Sequence, residues 1–181
     1  LNLYRNANLY KIAQFESSRR AVLVDKIPDN NKYVYCPLHY QPEASTMPVC
    51  EDFMQDQSTL IEYISKMLPK DTYVVVKEHF MQTYNFRNEV FYQKLAELKN
   101  VIFVGPMVQS VDIIKNCEFV FSLTGSVGFE ALLMGKPAEI AGATLYQYFP
   151  GAFKFDENFD INEVLSYKVN PQEIKQAFID L

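Results

Sequence analysis

Histidine occurs only twice in this 181-residue chain and cysteine only three times, with no C-x-x-C pair. That scarcity argues against a structural zinc site, which needs four clustered nitrogen or sulfur ligands. Cys36, Cys50 and Cys117 are odd in number, widely spaced and set among apolar residues. This is the pattern of reduced thiols packed as small hydrophobes, and it points to the cytoplasm. No run of about 18 apolar residues is present to span a bilayer, and no signal-peptide pattern opens the chain. Positive charge is in deficit: 17 Lys and Arg stand against 22 Asp and Glu, for a net charge of -5 and a pI near 5.1. Such a balance argues against a surface that neutralises nucleic-acid phosphates, so no nucleic-acid partner is expected. Glycine is scarce as well. With 49% hydrophobic and 22% charged residues, neither disorder nor a repeat architecture fits. D-x-D, G-x-G-x-x-G and Walker signatures are all missing, and no metal ion or cofactor is expected. An initiator Met is missing too. Because Leu1 opens the chain, the expectation is a piece of a longer protein whose preceding domain is absent.

What is present is a series of short apolar runs rich in β-branched and aromatic residues: 33-YVYCPL, 73-YVVVK, 101-VIFVG, 119-FVFSL and 138-AEIAG. Runs without polar alternation predict strands covered on both faces, as in a parallel sheet. Helical periods lie between them. Leu60, Ile61, Ile64 and Leu68 share one face, Phe91, Leu95 and Leu98 a second, and Val127, Ala131 and Met134 a third. The alternation of strand and helix gives an α/β class with a Rossmann-like, doubly wound parallel sheet. A chain of this size buries roughly 70% of its unfolded surface, enough for a true core. Residues 1–32 are read as an N-terminal arm or linker, with a helical period around Leu9, Ile12 and Ala13 and with 21-AVLV as an arm, a linker or an extra strand. Residues 33–181 are read as one domain. Within it, 143-ATLYQYFPGAFKFDENFDI is expected to be irregular over the sheet edge, and Pro171 to open a final helix with Ile174, Ala177, Phe178 and Leu181 on one face.

Ligands of a doubly wound sheet sit at the carboxyl ends of its strands. The loops that emerge there are 38-LHYQPEAST, 77-KEHF, 105-GP and 124-TGSVG, and both histidines of the chain fall in them. Taken singly, each histidine reads as a satisfied or solvated side chain. Together at one edge, His79 and His39 become candidates for donating a hydrogen bond to a phosphate. Lys77 and Glu78 read either as a salt-bridged strand end or as ligand contacts. Gln41 and Pro42 shape the first loop; Glu43 either orients a sugar hydroxyl or caps local backbone.

The stretch 119-FVFSLTGSVGFEALLMGKPAEIAG reads as strand, tight turn, helix and strand. A helix start presents unpaired N–H groups and about half a positive charge, so a phosphate can bind there without a lysine. Gly125 and Gly128 would allow close backbone approach, and Thr124 and Ser126 would add hydroxyl donors. The alternative is ordinary capping by Ser126. Capping favours an acid or amide three residues on, yet position 129 is Phe and the acid is Glu130. Glu130 is expected to be available to the two hydroxyls of a ribose.

The combination TGSVGFEALLMGKP resembles the nucleotide-binding half of GT-B glycosyltransferases. PLHYQPEASTMP, FMQDQSTLI and VVVKEHF, in order before it, resemble bacterial capsular polysaccharide biosynthesis proteins, the group that includes the Kdo transferases of capsule export. The resemblance spans roughly residues 33–148. Gln41 and Pro42 match the Q-P motif of that group, whereas His79 is followed by Phe80 where an H-P motif has proline. The resemblance implies that His79 contacts the donor phosphate, that Thr124 and Ser126 contact it from the helix end, and that Glu130 meets the ribose; Gly105, His39 and Gln41 are further donor-binding candidates, and His79 and Glu43 the catalytic ones. It implies a transferase that moves a sugar, with Kdo or a sialic-acid-like sugar from a CMP donor in view, to a glycan or glycolipid acceptor. Expected partners are the nucleotide sugar, the acceptor, the missing N-terminal domain and a capsule-synthesis complex. The expected location is cytoplasmic, with the inner face of the membrane left open. Two alternatives stand beside this: a sugar-nucleotide epimerase or polyol-phosphate transferase of the same fold, or a non-catalytic assembly domain.

Overall fold

The computed structural model describes residues 2–24, 26–29, 31–41, 56–82, 87–156 and 159–181. The apolar run at 33 forms β2 (Lys32–Pro37), and those that follow form β3 (Thr72–Lys77), β4 (Val101–Val104), β5 (Val120–Ser122) and β6 (Ala138–Ile140). Successive side chains of a strand point to opposite faces, and here both faces are covered. Val34, Cys36, Val74, Val76 and Phe121 join a core with Leu60, Ile61 and Ile64 of α2 (Gln57–Met67) and Tyr92 and Leu95 of α3 (Glu89–Ala96). Tyr33, Tyr35, Val75 and Val104 pack on the other side against Ile113 and Ile114 of α4 (Ser110–Asn116) and Ala131 of α5 (Ser126–Leu133).

The N-terminal segment is built into this core. Helix α1 (Asn2–Val22) places Phe15 edge-on against Tyr92, with ring centroids 5.9 Å apart. Of the three readings of 21-AVLV, the extra strand is the one observed: β1 (Leu23–Val24) pairs with β4, Leu23 opposite Phe103. Leu9 and Ile12, the residues that suggested this helix, stay exposed. The segment after residue 143 is also more ordered than its turn-rich composition suggests. It contributes β7 (Ala152–Lys154), which pairs with β6, and then α6 (Ile161–Ser166). Gly151, at φ 81°, makes the bend into β7. The final helix α7 (Pro171–Ile179) starts at Pro171 as expected and seats Ile174 against Leu132 and Ile140.

Every strand pair is parallel, and the order across the sheet is β1-β4-β3-β2-β5-β6-β7. The chain runs outward from β2 through β3 to β4, then returns to place β5 beside β2, with Tyr35 opposite Val120. That reversal opens a crevice at the carboxyl ends of β2 and β5, the topological switch point of a Rossmann-like sheet. No helix among the described residues is long and apolar enough to cross a membrane.

Candidate functional site

A cleft of about 380 Å³ occupies the switch point, lined by Leu38, His39, Tyr40, His79, Thr124, Gly125, Ser126 and Val127. Five candidates from the sequence meet there: His39, His79, Thr124, Gly125 and Ser126. A larger hollow of about 750 Å³ lies at the opposite, amino edge of the sheet, near Lys32, Asp112 and Glu118. It gathers side chains of mixed charge, Asp29, Asp112 and Glu118 among them, and neither histidine, so the smaller cleft is the better anion site.

One wall of the cleft is the beginning of α5. Gly125 is its N-cap residue and supplies no side-chain cap. By contrast, Asp56, Asn88, Asp160 and Asn170 each accept a backbone N–H at the starts of α2, α3, α6 and α7. Ser126 is not the cap either, for its hydroxyl donates to Glu130 Oε1 at 3.2 Å. The expectation of a Glu130 without a partner is corrected accordingly: the i, i+4 spacing brings serine and carboxylate together on one helix face. Glu130 also stands near Lys77. Burial lowers the Lys77 ammonium, the Glu130 charge works against that shift, and Lys77 Nζ donates to Ser110 Oγ at 3.0 Å.

The turn before α5 is held from below. Gly125 N–H donates to Ser122 Oγ at 3.1 Å, and the Tyr146 hydroxyl donates to the Gly125 carbonyl. Burial pushes the Tyr146 hydroxyl up to about 12, so it stays a donor across the working range. The same ring accounts for Gly128, which turns out not to line the cleft. A Cβ on Gly128 would lie 2.6 Å from Tyr146 Oη, so glycine is needed to admit tyrosine rather than phosphate. Gly128→Ala is therefore expected to cost about 1–3 kcal/mol by displacing Tyr146. Combining it with Tyr146→Phe should cost less than the two single changes added together, as a denaturant-unfolding cycle would show. Simple additivity would mean that the two do not collide.

His79 follows β3, with its Nδ1 accepting the Met81 N–H at 3.2 Å. That bond leaves Nε2 to carry the hydrogen of the neutral ring, the form that donates. Phe80, which stands in place of the motif's proline, is 74% exposed and stacks on the imidazole at 4.9 Å; the Tyr40 ring lies 5.7 Å away. His39 follows β2 and faces Gly125: a Cβ there would lie 3.1 Å from His39 Cε1 and 3.3 Å from Nε2.

The remaining candidates are placed elsewhere. Gln41 is buried under the cleft, where its Oε1 accepts from Arg87. Gly105 accepts the Val108 N–H in the turn after β4 and is not among the lining residues. Pro42, Glu43 and Cys50 lie outside the described residues. Cys36 and Cys117 are free thiols in the core, both pushed up to about 12 by burial, and are unreactive packing groups. Among the described residues no group of three or more His, Cys, Asp or Glu could hold a metal ion.

Nothing in the order of residues foretells the network beneath the histidines. Glu78 pairs with Arg87 (Nε to Oε2, 3.3 Å) and not with Lys77. Tyr92 donates to the same oxygen at 3.1 Å, and the His79 N–H to the other at 3.0 Å. Burial raises the Glu78 carboxyl, while these donors pull it back. Two amide clasps complete the layer: Gln57 exchanges hydrogen bonds with the backbone of His39, and Gln82 with that of Gln41. An arginine in RNEVFY carries no sign in sequence of the loops it will meet.

Solved structures share this fold. The KpsC beta Kdo 2,7 transferase of Thermosulfurimonas dismutans superimposes with a TM-score of 0.56 at 22% identity, covering 90% of this chain and 51% of its own. The beta Kdo 2,4 transferase of the same KpsC gives 0.54 at 11%, covering 91% and 54%. UDP-GlcNAc 2-epimerase from Methanocaldococcus jannaschii gives 0.60 at 16%, covering 91% and 48%. The chain thus spans about half the length of each. No curated protein matches the sequence. The family model described as capsule polysaccharide biosynthesis protein matches residues 4–176, nearly the whole chain. By that match, and with the GT-B-like Rossmann fold it carries, the chain belongs to the capsule polysaccharide biosynthesis protein family.

Proposed function

We propose that this chain is the donor-nucleotide-binding domain of a glycosyltransferase for capsular or other surface polysaccharide, with a CMP sugar of the Kdo or sialic-acid type as the leading donor. The observation that carries this reading is the meeting of an uncapped helix start with His39 and His79 in one cleft at the switch point. The nucleotide phosphate would lie against the amides that open α5, with the Thr124 hydroxyl and the His79 Nε2–H turned toward it, and the Ser126 hydroxyl would join them on leaving Glu130 as that carboxylate takes up the ribose. As the bond between sugar and phosphate oxygen breaks, its electron pair stays on that oxygen. Preorganised donors meet the new charge there, so no divalent ion is called for. Glu130, one turn into α5, is the group for the ribose. The acceptor and the base that activates it belong to a further domain in this reading, which the doubled length of the Kdo transferases supports. The chain alone binds nucleotide and turns over little.

Calorimetric titration with CMP, CDP and UDP tests this. Ser126→Ala and Glu130→Ala should each weaken the preferred nucleotide by about three- to tenfold, the loss of a hydrogen bond. Unchanged affinity in both variants would remove the site. The likeness to UDP-GlcNAc 2-epimerase favours a second reading, epimerisation of a nucleotide sugar on the same phosphate turn. Product analysis separates the two: an isomerised nucleotide sugar without acceptor for one, a free nucleotide with a glycosylated acceptor for the other.

A further inference from the structure

The loops that carry His39 and His79 come from different strands, yet a single buried cation holds both. Arg87 is 1% exposed. Its Nη2 donates to the His39 carbonyl at 3.1 Å, its Nη1 to Gln41 Oε1, and its Nε to Glu78 Oε2 at 3.3 Å. Glu78 carries the link onward, since its Oε1 accepts the His79 N–H. Each end of the chain of bonds is therefore the main chain of a cleft histidine. The Phe91 ring lies 4.5 Å from the guanidinium carbon and limits its movement.

We propose that Arg87, acting with Glu78, is the positioning residue that sets His39 and His79 against the start of α5, so that nucleotide affinity depends on a side chain that does not touch the nucleotide. This rests on the cleft being the nucleotide-phosphate site. Charge pairing alone does not explain the arrangement. A buried ion pair is commonly no more stabilising than apolar side chains of the same volume, so its use lies in geometry. Two of the three Arg87 bonds go to the β2 loop and not to its ionic partner. A planar fork with donors in fixed directions can serve two loops at once, whereas a lysine is a point donor. Outer groups that orient a ligand-binding imidazole act in this way at other sites.

With only two histidines, the chain has only two sets of imidazole signals to follow by NMR. Arg87→Lys keeps the charge and loses the fork. In that variant both sets should move from their wild-type positions, and the CMP dissociation constant should rise roughly tenfold, as when outer partners of ligating histidines are removed. Ile174→Ala, a core truncation under α7 away from both loops, serves as the destabilised control and should leave both histidine signals unchanged. A purely structural Arg87 would behave like this control, and wild-type histidine signals with wild-type affinity in Arg87→Lys would overturn the proposal. If the unmodified protein binds none of CMP, CDP and UDP, the nucleotide reading fails, and the histidine signals still decide whether Arg87 sets the loops. Should Arg87→Lys not fold, Glu78→Gln keeps an oxygen for the His79 N–H but takes the carboxylate from Arg87. The His79 signals must then move, or the proposal is overturned. In the unmodified protein the Arg87 Nε–H must also exchange slowly with solvent; rapid exchange would count equally against it.

Discussion

Glu139→Leu is expected to make the protein more stable, by about 1–3 kcal/mol at neutral pH, against the usual direction of core substitutions. Glu139 lies in the middle of β6, between Phe121 and Phe153 on the neighbouring strands. It is 0% exposed, and neither carboxyl oxygen has a hydrogen-bond partner. Burial raises this carboxyl well above the usual range, and Asp156 adds repulsion. It therefore enters the fold carrying a proton. The unfolded chain releases that proton near the ordinary glutamate value of 4.5, so above that pH the folded state binds the extra proton and stability falls as pH rises. The loss continues until the folded carboxyl itself ionises, with a slope of at most about 1.4 kcal/mol per pH unit. Glu139→Gln removes the proton exchange while keeping the shape. Urea midpoints from about pH 5 to about pH 8 should show wild type falling relative to both variants. A constant gap between wild type and Gln across that range would show that Glu139 ionises normally.

Gly125→Val should close the cleft and lower nucleotide affinity about a hundredfold or more, while the protein stays folded. The backbone at Gly125 has φ -76°, which any residue adopts, so the penalty is one of space. A Cβ would press on the His39 ring at 3.1 Å and on Ser122 Oγ at 3.3 Å, and the two valine methyls would extend beyond it. His39 would have to leave the start of α5, and the hydroxyl that accepts the Gly125 N–H would shift as well. Two or three phosphate contacts disturbed together account for the size of the effect, at about 1 kcal/mol or more for each. Calorimetry with CMP reads the loss, and circular dichroism checks the fold. Affinity within the wild-type range would place the phosphate elsewhere.

The parallel sheet was legible because strands covered on both faces must be apolar throughout, and five such runs stand out between helical periods. The helix start at Ser126 was legible for a related reason, as TGSVG sits directly after one of those runs. The short elements were not. Strand β7 is three residues of an aromatic-rich stretch whose turn residues hide its pairing, and α4 and α6 are too short for a period to emerge. Long-range polar partners were equally hidden. Gln41 looked like a ligand residue because it precedes a proline in a motif, yet its partner is an arginine 46 positions away. Gly128 looked like an opening for phosphate because the tyrosine that fills its space lies beyond the next strand.

The return of β5 to the side of β2 has a bearing on how the molecule is made. Contacts between segments so far apart in the chain form late, after the loop between them has been closed at an entropic cost. Until the ribosome has delivered Val120, one border of β2 stays unpaired, an apolar edge open to wrong partners. The cleft is the seam where that border is finally sealed, so a nascent chain can form it only once β5 has joined β2.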